Sequence, residues 1–215
     1  MTNAPLNSSS NASPSDASNS SSLDQRLAMV QQLEAGGQLA AAQDLLEQAP
    51  EEDRRHGLFH YVRGALALRR GDLDAAVSAF EQAVTLGPPL PEYLANLGAA
   101  LLARSRQLTG EVRWEEQRKA RQALERAAEL GPKLPHAFSN LGLARLLDGD
   151  YAGAAAACDA ALDIDPLFAD ALFNKAAAVS RGGDRQGAIA LLDQLLQLQP
   201  DHAAARGARE RLLAK

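Results

Sequence analysis

The sequence predicts an all-α protein built as a stack of helix–turn–helix units, and three observations carry that prediction. Of 215 residues, 44 are Ala and 35 are Leu, whereas Val and Ile together supply 8. Ala and Leu are strong helix formers and strands draw on β-branched residues, so a sheet-based class is excluded. Gly-Asp recurs at Gly71-Asp72, Gly149-Asp150 and Gly183-Asp184, the last two pairs 34 residues apart. Pro88, Pro132, Pro166 and Pro200 keep the same step, with 10 extra residues between the first two. A fixed period on a helical background is the signature of a repeat array.

The elements follow in order. Residues 1–22 hold 9 Ser, 4 Asn and 2 Pro with one charged side chain, Asp16. Such a segment cannot bury enough apolar surface to offset its ordering entropy, so a disordered tail is expected. The sequons at Asn7, Asn11 and Asn19 are what a Ser/Asn-rich tract produces by chance, with no secretion signal ahead of them.

Five units are expected, at 23–56, 57–90, 91–134, 135–168 and 169–202. The fourth shows the layout best. Phe138, Leu141, Gly142 and Arg145 follow a helical period, and Gly149-Asp150 interrupts it. A second helix carries Ala154, Cys158 and Ala161 on one stripe, and Pro166 ends it. The small residues suit close helix packing, and Gly149 suits a left-handed helix stop. The first unit is degenerate: Gly37, Ala42, Leu46 and Ala49 fit, but Arg54 stands where the others have Pro.

The 10 extra residues of the third unit fall within 103–119, which holds the only Trp, Trp114. With Thr109-Gly110 as the turn, each helix of this pair is expected to be about a turn longer. Two readings of Trp114 stay open: packing within the lengthened hairpin, or anchoring a secondary partner contact. Residues 203–215 read as a capping helix, with Ala203, Ala204, Ala208 and Leu212 facing the last unit and Arg206, Arg209, Arg211 and Lys215 facing water.

The order Phe138, Leu141, Gly142, Gly149, Ala154, Cys158, Ala161, Pro166 resembles the tetratricopeptide repeat, with Cys158 in place of the usual aromatic. Gly64, Gly71, Ala76, Phe80, Ala83 and Pro88 repeat it in the second unit. The resemblance implies a right-handed α-solenoid whose first helices line a concave groove for an extended peptide. It places Tyr61, Asn96, His136, Ser139, Asn140, Phe173, Asn174 and Arg181 on that wall. Outside the tail the chain has three Asn, and all three (Asn96, Asn140, Asn174) occupy one slot of consecutive units. A side-chain amide can pair with one peptide unit in both directions, so the row reads as a ladder for a bound backbone. A cationic clamp for a C-terminal carboxylate is not expected, since Ala95 and Ser139 stand where that subclass carries Lys.

No chemistry-bearing constellation emerges. P-loop, dinucleotide and nucleophile-elbow motifs are missing, and no cofactor is expected. His56 and His60 have helical ligand spacing, but His60 falls at the packed slot that Leu94, Phe138 and Leu172 fill elsewhere, so no metal site is expected. Cys158 lies on a packed stripe and reads as an inert thiol. A net charge of -5 argues against nucleic acid, and no apolar run reaches membrane-spanning length. The expected function is a cytoplasmic, non-catalytic adaptor that binds a protein or peptide. The alternative is a self-associating scaffold using the solenoid ends or the Trp114 protrusion.

Overall fold

The computed structural model describes the backbone of residues 14–214 and the side chains of 22–214. The described residues form eleven α-helices and no strand: α1 (Pro14–Ala35), α2 (Leu39–Glu47), α3 (Gly57–Arg70), α4 (Leu73–Leu86), α5 (Pro91–Ser105), α6 (Gly110–Leu130), α7 (Pro135–Leu147), α8 (Tyr151–Ile164), α9 (Ala169–Arg181), α10 (Arg185–Leu198) and α11 (Ala203–Leu213). A 3-10 turn, Asp53–Arg55, joins α2 to α3. Of the expected disordered tail, residues 1–13 lie outside the described residues. From Pro14 on the described backbone is helical, so α1 begins within the stretch expected as a tail. Proline suits a first helical position, where its missing N–H removes no helical bond.

The turn chemistry explains the period. Gly37, Gly71, Gly110, Gly149 and Gly183 are the described residues with positive φ, and each sits at the turn of a hairpin, Gly110 as the first residue of α6. The Asp that follows three of them caps the next helix: Asp72, Asp150 and Asp184 accept from the N–H of Ala75, Gly153 and Gly187 at 3.0, 2.9 and 2.8 Å. Second helices α4, α6, α8 and α10 stop just ahead of Pro88, Pro132, Pro166 and Pro200, because the residue before a proline avoids the helical region.

Helices pack mainly on their chain neighbours, and first helices also meet across units, as α5 meets α7 and α7 meets α9. The core is accordingly a row of clusters along the stack, as in a solenoid. In three of the hairpins a glycine on the first helix faces a larger residue on the second. A Cβ on Gly64 would lie 2.8 Å from the Phe80 ring, and one on Gly98 would meet Leu124 at 2.5 Å. Gly142 faces Cys158 in the same way.

The insertion does not lengthen both helices of the third hairpin. Helix α5 has 15 residues against 14 in α3, while α6 has 21 against 14 in α4. After Gly110 the chain contains good helix formers with no breaker, so the added residues join α6 and extend its N-terminal end by about two turns. Arg104 of α5 holds this overhang through an ion pair to Glu116, itself buried. Trp114 projects from it with 59% of its surface exposed, so it does not pack within the hairpin.

Candidate functional site

Helices α3, α5, α7 and α9 carry the predicted groove residues, and their contacts show what each side chain is free to do. At the N-terminal end, Tyr61 of α3 stacks on Tyr93 of α5, with ring centroids 5.1 Å apart and planes at 29°. Asn96 Nδ2 donates to the Tyr61 hydroxyl at 3.2 Å and to the Glu92 carbonyl at 2.9 Å. Burial, reinforced by the charge of Glu92, raises the Tyr61 phenol above its ordinary pKa, so it stays protonated at neutral pH.

The Asn row is not uniform. Asn174 Nδ2 reaches back to Ser139, donating to its carbonyl at 3.3 Å and its hydroxyl at 3.2 Å. Ser139 is 1% exposed, so this bond lies inside the stack. In both pairs the Asn reaches a residue 35 positions earlier, on the preceding first helix. For Asn140 the corresponding residue across the insertion is Ala95, whose buried methyl offers no hydrogen bond. Asn140 is half-buried, and no hydrogen bond to it occurs among the described residues. Two of the three amides therefore clasp neighbouring helices through their N–H groups, leaving only the carbonyl oxygen for other partners, and the middle amide has both halves available. Sequence spacing found the slot; the clasp was missed, although a hydroxyl residue 35 positions back was its signal.

The remaining predicted residues lie toward the ends of these helices. His136 is half-buried in the first turn of α7. Phe173 packs on the His202 ring, centroids 5.4 Å apart, and His202 Nδ1 accepts from the Ala205 N–H at 3.1 Å to start α11. Arg181, exposed at the end of α9, joins Phe173, Ala177, Ser180, Ala208 and Arg211 around a cavity of about 720 Å³ between α9 and α11.

The groups weighed for chemistry are engaged otherwise. His60 is buried, its Nε2 lies 2.7 Å from the Arg54 carbonyl, and burial lowers its pKa. His56 is exposed at the start of α3. Cys158 is fully buried, and burial pushes its thiol up to about 12, so the reactive thiolate is not formed near neutral pH. No group of three or more His, Cys, Asp or Glu is placed to hold a metal among the described residues, and none of their helices is long and apolar enough to cross a membrane.

A tetratricopeptide repeat family model matches residues 27–91 and 115–167, and a second matches 145–212. No curated protein matches the chain. Among solved structures it is similar to TTC0263, a tetratricopeptide repeat protein of Thermus thermophilus, at 22% identity and a TM-score of 0.70, covering 90% of this chain and 100% of that one. It is similar to YrrB, described as a TPR protein with an unusual peptide-binding site, at 23% identity and a TM-score of 0.65, covering 89% of this chain and 97% of that one. It is also similar to PilF of Pseudomonas aeruginosa, at 18% identity and a TM-score of 0.72, covering 87% of this chain and 81% of that one. At these identities the likeness speaks for the fold alone. The residues matched by the family models, the glycine turns and the paired helices together make this chain a member of the tetratricopeptide repeat family, whose proteins generally mediate protein–protein interaction.

Proposed function

We propose that the chain is a non-catalytic adaptor that holds an extended segment of a partner protein along the first helices α3, α5, α7 and α9. The observation that carries this reading is the half-buried Asn140 amide, which has no hydrogen-bond partner among the described residues. A polar side chain left unpaired in a partly dry wall is stabilised by whatever pairs with it, and a peptide unit supplies one donor and one acceptor. Asn96 and Asn174 contribute their carbonyl oxygens as acceptors on either side. Tyr61 and Phe173 offer aromatic faces toward the two ends, and His136 and Arg181 add polar contacts. The peptide-binding site named for YrrB lends this reading support by likeness of fold. A cytoplasmic setting belongs to the same reading, since a lone buried thiol suits a reducing compartment.

The test is selection of binding peptides from a random library, followed by affinity measurement on variants. Asn140→Ala is expected to weaken the selected peptides by about 1–3 kcal/mol through lost amide pairing. Peptides that bind Asn140→Ala, Tyr61→Ala and Phe173→Ala as tightly as the unaltered chain defeat the proposal.

The exposed Trp114 and Val112 on the α6 overhang favour a second reading, self-association through that protrusion. Light scattering across a concentration series tests it: growth in mass that Trp114→Ala abolishes supports it, and a constant monomer mass refutes it.

A further inference from the structure

A cleft of about 420 Å³ opens between α2 and α4, over the outer face of α3. Its size lies within the range of small-ligand sites. Arg63 and Arg70, seven residues apart, share one face of α3, roughly half a helical turn round from Tyr61, so the cleft is separate from the candidate groove. It exists because α2 is short, with 9 residues against 14 in α4, and leaves part of α3 uncovered.

Three guanidinium groups line this cleft, those of Arg54, Arg63 and Arg70. None of them forms an ion pair among the described residues, and what sets them apart from the other unpaired arginines is that all three meet in one cleft. Arg54 and Arg63 donate only to neutral acceptors, the Glu47 carbonyl at 2.5 Å and the Gln82 side-chain oxygen at 2.7 Å. Where the same slots carry a cation elsewhere in the array, it is paired. Arg104, one repeat after Arg70, pairs with Glu116 and Asp74, and Lys175, at the slot of Arg63, pairs with Asp159 at 2.5 Å. Arg54 stands where the other units carry their closing proline. The carboxylates in the cleft wall are engaged: Gln43 donates to Glu47 at 2.5 Å, and Asp72 caps the Ala75 N–H at 3.0 Å. Burial, and after it the charge of Arg54, lowers the pKa of Arg63. The cleft's apolar lining is Leu46, Phe59 and Leu66.

We propose that this cleft binds an organic phosphate, its phosphoryl group held by Arg54, Arg63 and Arg70 and its apolar body lying on Leu46, Phe59 and Leu66. A phosphate monoester carries about -1.5 to -2 charges at pH 7 and three acceptor oxygens, so it offers three guanidinium forks more charge and more acceptors than the two oxygens of a carboxylate do. The ester is either a free small molecule or a phosphorylated side chain; the shared chemistry is an aryl or alkyl phosphate.

Calorimetric titration of the full chain tests the site, with phenyl phosphate, phenol, phthalate and a phosphotyrosine peptide as probes. Phenyl phosphate is expected to saturate one site and phenol to show no saturation. Arg63→Gln is expected to weaken phenyl phosphate about tenfold or more, as loss of a charge-assisted bond does. The double variant Arg54→Gln/Arg70→Gln, altered only at exposed positions, is expected to show a similar loss with an unchanged circular dichroism spectrum; it decides the matter should Arg63→Gln misfold. Arg106→Gln, at the exposed end of α5 outside the cleft, is expected to bind as the unaltered chain does. Tighter binding of the peptide than of phenyl phosphate supports the site with a modified side chain as its source, and weaker binding supports it with a free ester. No saturable binding of phenyl phosphate, equal affinity in the unaltered and Arg variants, or phthalate binding as tightly as phenyl phosphate overturns the proposal.

Discussion

Asn174→Ala and Asn140→Ala remove the same group from equivalent slots, and the structure requires opposite consequences. Asn174 donates to two acceptors on Ser139, and that buried hydroxyl loses its donor when the amide goes. A net hydrogen bond contributes about 0.5–1.5 kcal/mol and an orphaned buried group adds to the loss, so Asn174→Ala is expected to cost about 1–2 kcal/mol. For a chain of this length that corresponds to roughly 2–8 °C in Tm. Asn140→Ala breaks no such bond, and Ala exceeds Asn in helix propensity by about 0.5 kcal/mol, so its Tm is expected to equal or slightly exceed that of the unaltered chain. Repeat arrays can unfold unit by unit, so a melt is best paired with amide hydrogen exchange, where Asn174→Ala is expected to speed exchange in α7 and α9. An Asn140→Ala chain as destabilised as Asn174→Ala, or an Asn174→Ala chain with unchanged exchange, refutes the distinction between clasp and free amide.

Two further outcomes follow from the packing. Gly98→Ala places a methyl 2.5 Å from Leu124, which is fully buried and cannot swing away; overpacking of about 1–3 kcal/mol outweighs the helix-propensity gain of up to about 1 kcal/mol, so denaturant melts are expected to show a less stable chain, and a higher midpoint refutes this. Burial holds His60 below its ordinary value of 6.5. The unfolded imidazole therefore takes up a proton that the folded one refuses, and stability is expected to fall as pH drops through about 6.5. His60→Leu, which installs the residue found at this slot in α5 and α9, is expected to remove that part of the acid dependence in melts between pH 7 and 5.

Much of the array was legible because its turns are chemically specific. A positive φ followed by a helix cap asks for Gly-Asp, so Gly71-Asp72, Gly149-Asp150 and Gly183-Asp184 fixed the register, and the prolines marked the other boundary. Three features were not legible, each for a physical reason. Where inserted residues go depends on where the helix stops, and Gly110 stopped the loop early enough to give most of them to α6. The shortness of α2 reflects a degenerate first unit, whose Arg54 read only as a missing proline until the cleft beside it came into view. The Asn slot was visible, but periodicity gives the face of a helix and not the group opposite it.

That opposite group now supplies a rule that can be tested by construction. Asn96 finds the Tyr61 hydroxyl and Asn174 finds that of Ser139, each 35 residues back. The residue in the corresponding position for Asn140 is Ala95, which is fully buried and has no hydroxyl. Ala95→Ser adds one oxygen at the place where Ser139 accepts. If the first helices repeat their spacing, that hydroxyl accepts from Asn140 Nδ2, adding about 0.5–1.5 kcal/mol and ordering the amide, whose side-chain protons are then expected to exchange more slowly in NMR spectra. The same change uses up the donor that the proposed groove offers to a peptide, so affinity for selected peptides is expected to fall as it does in Asn140→Ala. A buried hydroxyl without a partner costs about 1–3 kcal/mol, so a destabilised Ala95→Ser chain with fast-exchanging Asn140 protons and undiminished peptide binding refutes both the rule and the role given to Asn140.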